Sequence, residues 1–318
     1  MPVWATSLAH VAPDVRADAG GAVPPEPTLG TALLGWQLEI VPALLVVVLA
    51  GLYLYGVSRL RRRGDAWPVW RTVSFVGLGL GSIVLATQSA LAAYDTVLLT
   101  PHMVQHMVLA MLTPVLLALG APVTLALRVL PARARRPLVR LLHSRLARVV
   151  SFPLVGGALF VASPFALYFS PWYEATLRSA YLHEALHVHF LLVGCLWFWP
   201  LLGIDPVPGR LSYPLRMLAI FATLPFHAWL GVALMSRSTV LAADWYAALD
   251  RSWGPPPLVD QQWAGGILWA SGDIVGLFLL AVLFVQWVRA SEREAKREDR
   301  RLDQLEAQGR STGFMAQR

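Results

Sequence analysis

The sequence predicts an all-α, polytopic membrane protein that forms a bundle of seven transmembrane helices, and three observations lead to this fold class. Only 14% of the 318 residues are charged, whereas a soluble domain averages about 25%. Hydrophobic residues make up 56% of the chain and occur in blocks long enough to cross a bilayer, which takes roughly 20 residues of helix. The arginines gather in alternate loops between these blocks. Because backbone polar groups in lipid must pair within their own segment, each block is expected to be a helix.

Seven blocks carry most of the apolar residues, and together they define a transmembrane domain over residues 36–288. In chain order they cover about residues 36–58, 69–92, 102–127, 149–169, 182–203, 213–235 and 263–288. Residues 1–35 are rich in Pro, Gly and Ala and lack the basic start and apolar core of a signal peptide, so we expect a flexible external tail. Residues 289–318 are dense in charge and are expected to form a cytoplasmic tail.

The loops between the blocks predict the orientation of the bundle. Arginines are dense after the first, third, fifth and seventh blocks and sparse after the others. Because loops rich in arginine stay in the cytoplasm, this alternation predicts an external N-terminus and a cytoplasmic C-terminus. The basic loops contain Arg59, Arg61, Arg62, Arg63 and Arg71, then Arg128, Arg133, Arg135, Arg136, Arg140, Arg145 and Arg148, and then Arg210 and Arg216.

The composition also excludes several classes of protein. The net charge of +7 is explained by these loops, so it does not indicate a nucleic-acid partner. The chain has a single cysteine, Cys195, which excludes a disulfide within the chain. Its one lysine, Lys296, lies in the predicted cytoplasmic tail. A Schiff base inside the bundle, as in a retinal protein, is therefore excluded.

Two histidine pairs stand at corresponding positions in the third and fifth helices. The third opens PHMVQHMVLAM, with His102 and His106 four residues apart, and the fifth opens YLHEALHVHF, with His183 and His187 at the same spacing. Side chains at i and i+4 share one face of a helix. Both helices run inward in the predicted topology, so both pairs are expected near the outer surface. Two such pairs at one depth predict a metal or haem site.

Further residues at the same end extend this candidate site. His227 lies ten residues before Arg237 in the sixth helix, and we take it as a fifth candidate ligand. Met103 and Met107 are candidate soft ligands, although methionines on a membrane helix more often serve packing. We read His189 as an amphipathic residue at the membrane interface. Four acidic residues are expected to orient the imidazoles or to line a polar pocket that opens outward: Asp95, Glu184, Asp260 and Asp273.

Copper, as Cu(I), is the metal that this donor set favours, because imidazole suits several transition metals and thioethers select Cu(I). Haem is the main alternative, since histidines from two helices, such as His106 and His187, can clamp its iron. The doubled i, i+4 spacing fits haem less well, because each haem face needs one histidine. His183, Glu184 and His187 also match the H-E-x-x-H pattern of zinc hydrolases. That reading needs a third ligand and a cleft that faces water.

Four stretches of the chain resemble the CtaG-type cytochrome c oxidase assembly factors, the family named for the caa3-type oxidase, which carries a fused cytochrome c domain. They are HMVQHMVLAMLTPVLLALGAP (102–122), HEALHVHFLLVGCLWFWPLLGIDP (183–206), LPFHAWLGVALM (224–235) and DQQWAGGILWASGDI (260–274). The seven-helix outline extends the similarity to residues 36–288. The resemblance implies a non-enzymatic factor that helps to build a haem–copper oxidase, with copper insertion as its expected contribution.

We therefore expect a multi-pass protein of the bacterial plasma membrane that binds copper at an external-facing histidine site. As a metal chaperone of the respiratory chain, it is expected to pass the ion by ligand exchange to a nascent cytochrome c oxidase subunit. Its expected partners are oxidase subunits, the lipid bilayer and other copper chaperones. Two alternatives remain open: a bis-histidine haem-binding electron carrier and a metal-free assembly scaffold. We expect no catalytic residue.

Overall fold

A computed structural model describes residues 23–206, 208 and 211–315, without side-chain detail for 32–34 and 307–315. The described residues form helices and no strand. In chain order the helices are α1 (Leu29–Leu34), α2 (Ile40–Arg62), α3 (Val69–Tyr94), α4 (Leu99–Val129), α5 (Ala132–Leu142), α6 (Arg145–Val150), α7 (Pro153–Tyr168), α8 (Trp172–Arg178), α9 (Ala180–Leu202), α10 (Tyr213–Met235), α11 (Ala243–Ala248) and α12 (Pro257–Met315).

Each of the seven predicted apolar blocks lies in one or more of these helices. Six helices are individually long and apolar enough to cross a membrane: α2, α3, α4, α9, α10 and α12. The fourth block contains α7, which is followed directly by α8 at an angle of 72°, and the two helices make a seventh span if the pair is counted as one. The chain is thus a multi-helix membrane protein.

The two predicted tails differ in how much of them the structure describes. Residues 1–22 of the predicted external tail lie outside the described residues. The remainder includes the short helix α1, which begins with a capping box between Thr28 and Thr31. The charged C-terminal segment continues the last span without a break, so α12 extends to Met315 as a single helix.

Helix α4 is the central element of the bundle. It packs against α3 along its length, against α9 on another side and against α12 near its N-terminus, while α10 lies along α12. One apolar core fills the space among α4, α7, α9, α10 and α12, and a second fills the space among α2, α3 and α4. The third, fifth, sixth and seventh blocks thus pack around one core.

Two buried aspartates cap the two helical segments of α4, which meet at Ala121. The carboxylate of Asp260 on α12 accepts hydrogen bonds from the backbone N–H of Leu99 at 2.5 Å and of Thr100 at 3.2 Å. At the other end, the backbone turns at Ala121, which has a left-handed φ of 50°, and Asp205 accepts from the N–H of Thr124 at 2.8 Å. These carboxylates satisfy backbone donors that the start of a helix leaves without partners.

Helix α4 is also irregular directly after the histidine pair. Residues Val108–Leu112 form a π-helical turn, in which the backbone hydrogen bonds join residues five apart instead of four. Such turns occur mostly as single insertions in α-helices and are frequent at functional sites. The insertion rotates the side chains that follow it relative to His102 and His106, so the face of α4 that carries the histidines ends there.

Candidate metal centre

Four histidine rings meet between α4 and α9, and we refer to His102, His106, His183 and His187 as the histidine quartet. The ring centroids of His102 and His106 are 4.0 Å apart, and those of His183 and His187 are 4.6 Å apart. Across the two helices, His102 lies 5.4 Å from His183 and His106 lies 5.9 Å from His187. The four rings therefore form a closed circuit in which each contacts one neighbour on its own helix and one on the facing helix.

The local sequence explains this arrangement. The i, i+4 spacing aligns each pair on one helix face, and both pairs lie near the first residues of their helices, at the same end of the bundle. Helices α4 and α9 approach closely further along, where Gly194 lies against the backbone of Ala110. Because glycine has no side chain at this position, the two helices can approach closely. This close approach keeps the two histidine pairs next to each other.

The quartet is enclosed by protein. The exposed fractions are 0% for His102, His106 and His183 and 5% for His187. The outward-opening polar pocket that we expected is therefore absent at the quartet itself, because the rings are covered by neighbouring aromatic side chains. Among these are Tyr173, 5.2 Å from His102 between ring centroids, and Phe190, 4.7 Å from His106.

Asp95 supplies a carboxylate at one corner of the quartet. Its Oδ2 lies 3.1 Å from Nε2 of His183, and the residue is 0% exposed. One donor atom from each of Asp95, His183 and His187 lies within 4.8 Å of the others, a spacing that can hold a metal ion. The same carboxylate can instead accept the Nε2–H of His183, which leaves Nδ1 of that ring as the lone-pair nitrogen.

A hydroxyl and a thioether support the opposite corner. The Tyr168 hydroxyl lies 3.3 Å from Nδ1 of His106 and 3.7 Å from Sδ of Met103. Because the hydroxyl has one proton, both contacts are satisfied when His106 Nδ1–H donates to Tyr168 and Tyr168 donates to Met103. In that arrangement Nε2 of His106 carries the lone pair, which is the form that binds a metal.

Two ring nitrogens of the quartet are buried without a protein hydrogen bond in the described part of the chain, Nε2 of His106 and Nδ1 of His183. His102 is also buried, and its polar contact is with the backbone of Asp95. A buried polar atom without a partner costs about 1–3 kcal/mol, and native proteins hold few of them. A metal ion shared by these imidazoles would satisfy the lone pairs together, so the donor set fits a metal.

Two tyrosines connect the quartet to a cavity at the same end of the bundle. The hydroxyls of Tyr173 and Tyr246 are 2.6 Å apart, and the Tyr173 ring contacts His102. Burial raises the pKa of Tyr246 above its ordinary value, so this hydroxyl stays protonated. Tyr246 also lines a cavity of about 220 Å³ formed with residues 251–257.

Comparison with known proteins identifies the family of the chain. Residues 51–290 match the cytochrome c oxidase caa3 assembly factor family, Caa3_CtaG. The chain belongs to this family. The matched residues include the whole histidine quartet together with Asp95, Tyr168 and Asp260, so the candidate centre lies within the family domain.

Curated relatives of the chain are found in mycobacteria. An uncharacterized protein of Mycobacterium bovis and one of Mycobacterium tuberculosis are each 40% identical to the chain over 291 residues, and one of Mycobacterium leprae is 36% identical. Each alignment covers 89% of this chain and 44% of the relative, so the chain spans less than half the length of these proteins. No solved structure matches the chain.

The structure brings together four of the five histidines predicted as ligands, and their binding of a metal stays a prediction. The fifth, His227, lies on α10 and packs on Phe160 with ring centroids 5.0 Å apart. His189 is exposed on α9 and its Nε2 lies 2.8 Å from the Ser163 hydroxyl, away from the quartet, and its interfacial position stays a prediction. The spacing of two pairs identified the quartet, whereas a single histidine such as His227 carried no comparable signal.

The other predicted polar residues have separate places. Asp260 holds the backbone of α4 rather than an imidazole. Asp273 accepts from Nε1 of Trp269 at 2.7 Å on its own helix. Glu184 is half-buried next to His183. Met107 packs in the apolar core, and Met103 is the methionine nearer to the quartet through Tyr168.

Sequence reasoning missed the tyrosines around the quartet. Tyr168 is the last residue of α7 and Tyr173 is the second residue of α8, so the two tyrosines lie on either side of the break between these helices. Tyrosines at the end of a membrane block are ordinarily read as interfacial residues. Their role here depends on the 72° bend between α7 and α8, which the hydropathy pattern does not predict.

Proposed function

We propose that this caa3 assembly factor binds copper, as Cu(I), at the histidine quartet and delivers it to a nascent cytochrome c oxidase subunit. The observation that carries the proposal is the closed circuit of four buried imidazoles. Desolvating so many polar rings is costly unless they bind something, and the family provides a context in which a haem–copper enzyme is assembled.

The donor chemistry supports copper over harder metals. Neutral imidazoles suit copper, zinc and iron, and a nearby thioether shifts the preference toward Cu(I). The Met103 sulfur is separated from His106 only by the Tyr168 hydroxyl, so a small side-chain rearrangement would bring it to the ion. Met107 packs in the same apolar core as Met103, but the contact with the Tyr168 hydroxyl is made by Met103, so Met103 is the better candidate.

Delivery by ligand exchange is supported by the number of donors, since the quartet has more imidazoles than a single bound ion needs. An ion held by two or three imidazoles of the circuit can move to a neighbouring ring 4.0–5.9 Å away without becoming free. The cavity beside Tyr246 offers a route between the bundle end and His102 through Tyr173. We further propose that this end faces outward, because the arginine-rich segment after Arg128 lies at the opposite end of α4.

Haem and hydrolytic zinc fit this geometry less well. A porphyrin between α4 and α9 needs a wide slot, whereas the two helices are in backbone contact beside Gly194. The H-E-x-x-H reading gains a third donor in Asp95. It also needs access for a substrate, and His183 and His187 are at most 5% exposed. We therefore propose no turnover chemistry at this site.

Metal content after anaerobic Cu(I) loading tests the proposal directly. We expect about one copper per chain in the purified protein, measured by mass spectrometry, and less than about one tenth of that in His102→Ala/His106→Ala, because two of the four donors are removed. His183→Ala/His187→Ala is expected to lose the copper as well. Parallel loading with Zn²⁺ tests the choice of metal, and an absorption band of haem in the purified protein would contradict copper.

The matched control is His189→Ala/His227→Ala, which also removes two imidazoles from membrane helices. Both rings lie outside the quartet, so this variant is expected to keep the copper. If neither the native chain nor the control binds copper although both are folded, the metal proposal is wrong. Oxidase assembly that continues with the quartet replaced by alanine would then favour the metal-free scaffold.

Replacing Tyr168 with phenylalanine tests the support of His106. The change removes only the hydroxyl that contacts His106 Nδ1 and Met103, and losing such an outer partner of a metal-bound histidine typically lowers metal affinity by about 10–100-fold. We expect a loss in that range for Cu(I), measured by competition with a chromophoric chelator. An affinity equal to that of the native chain would show that the hydroxyl does not orient the ligand.

A further inference from the structure

Helices α5 and α6 stand apart from the bundle. They connect α4 to α7, and none of their residues is buried. Within the described chain, they make substantial contact only with each other and with the helix ends that precede and follow them. The bundle therefore does not cover either helix, and another surface must accommodate their apolar side chains.

Helix α5 has a basic face opposite an apolar face. In α5, residues three and four apart share a face, and the basic set consists of Arg133, Arg136 and Arg140. About half a turn away stands the apolar set of Leu138, Leu141 and Leu142. The short helix α6 adds two further arginines, Arg145 and Arg148, and two further apolar residues, Leu146 and Val149.

The apolar set is strongly exposed. The exposed fractions are 61% for Leu141, 70% for Leu146 and 58% for Val149. Exposed leucine and valine at this density are unfavourable in water. A helix with this division, with arginines on the polar face, is typical of segments that lie in the plane of a membrane interface.

The charge of the segment is of one sign. Residues 128–152 contain seven arginines and no acidic residue. Among the described residues, Arg128 pairs with Asp65 at 3.7 Å, and the ion pairs found do not involve the six arginines that follow it. Six guanidinium groups are thus available on a surface that has no carboxylate of its own, and a guanidinium pairs well with phosphate.

The connections fix where this surface lies. Helix α4 ends at Val129 and α5 begins at Ala132, while α6 ends at Val150 and α7 begins at Pro153. Such short links hold both helices at the membrane level where α4 ends and α7 begins. We propose that α5 and α6 form an in-plane anchor that binds the anionic phospholipid headgroups of the surrounding bilayer.

Hydrogen–deuterium exchange on the full chain in lipid nanodiscs tests the anchor. Discs of phosphatidylcholine alone are compared with discs that contain about 30% phosphatidylglycerol, in which basic residues near the surface bind more strongly. We expect the amides of residues 132–150 to exchange at least about fivefold more slowly in the anionic discs. Arg133→Gln/Arg136→Gln/Arg140→Gln is expected to abolish the difference, and the corresponding lysine variant is expected to keep it.

The matched control is Arg293→Gln/Arg297→Gln/Arg300→Gln, which removes three arginines from the C-terminal part of α12. This variant is expected to keep the slow exchange of residues 132–150. Equal exchange in the two kinds of disc would overturn the proposal, whether the segment is protected in both or in neither. Protection that arises only in native membranes would identify a protein partner instead and would equally overturn it.

Discussion

Replacing Asp260 with alanine is expected to lower the free energy of unfolding by about 3 kcal/mol or more. The carboxylate is 2% exposed and accepts from the N–H groups of Leu99 and Thr100, the first residues of α4. A hydrogen bond to a charged group contributes about 1.5–3 kcal/mol. Removing the acceptor also leaves the buried N–H of Leu99 and the partly buried N–H of Thr100 without this partner, as at any uncapped helix start.

The same change is expected to weaken the candidate metal centre. His102 lies one turn into α4 from the capped residues, so fraying of this turn displaces its ring from His183, which is 5.4 Å away between centroids. We therefore expect less Cu(I) to be retained by Asp260→Ala than by the native chain. Unfolding in mixed detergent–SDS micelles, followed by tryptophan fluorescence, gives the free energy, and mass spectrometry gives the copper content.

Asp273→Ala is the matched control for Asp260→Ala. Asp273 lies on the same helix, but its carboxylate is half-exposed and accepts from Trp269 one turn earlier in α12. We expect this variant to cost less than about 1 kcal/mol. Equal losses from the two alanine variants would contradict the capping role of Asp260.

The sequence was sufficient to predict the helices, because backbone polar groups in lipid must be paired within their own segment. A block such as residues 213–235 must be helical in lipid, and the structure has Tyr213–Met235 as a helix with the same bounds. Interruptions within the blocks were not predictable from hydropathy. The left-handed Ala121 and the π-helical turn of α4 lie within apolar sequence, so they leave no trace in the hydropathy pattern. The bend between α7 and α8 follows the fourth block, and hydropathy does not give its angle.

The candidate site was predictable to the extent that it depends on helix periodicity. The i, i+4 pairs gave the quartet, because their register within a helix is fixed by sequence. The packing of one helix against another was not predictable from this periodicity. His227 was placed with the pairs because of its depth alone, but in the structure its ring packs on Phe160. The enclosure of the quartet by Tyr173 and Phe190 depends on tertiary packing, which is why a pocket was expected where the structure has a covered cluster.

Replacing Gly194 with leucine is expected to separate α4 from α9 and to destabilise the protein by about 3 kcal/mol or more, at the upper end of overpacking effects. A Cβ at this position would overlap the carbonyl oxygen of Ala110 and lie 2.7 Å from Cγ of Pro114. A backbone carbonyl cannot rotate away as a side chain can, so the helices themselves must move. Because the quartet is divided between these two helices, copper retention should fall together with stability.

Gly51→Leu is the control, since it adds the same volume on α2, where a Cβ would meet no described atom within 4 Å. It should be neutral or stabilising, because glycine is about 1 kcal/mol less favourable than alanine within a helix. Should Gly194→Leu fail to fold, Gly194→Ala still overlaps Ala110 and gives a smaller, measurable loss. If Gly194→Ala matched Gly51→Ala in stability and in copper content, the close approach of α4 and α9 would not be what holds the two histidine pairs together.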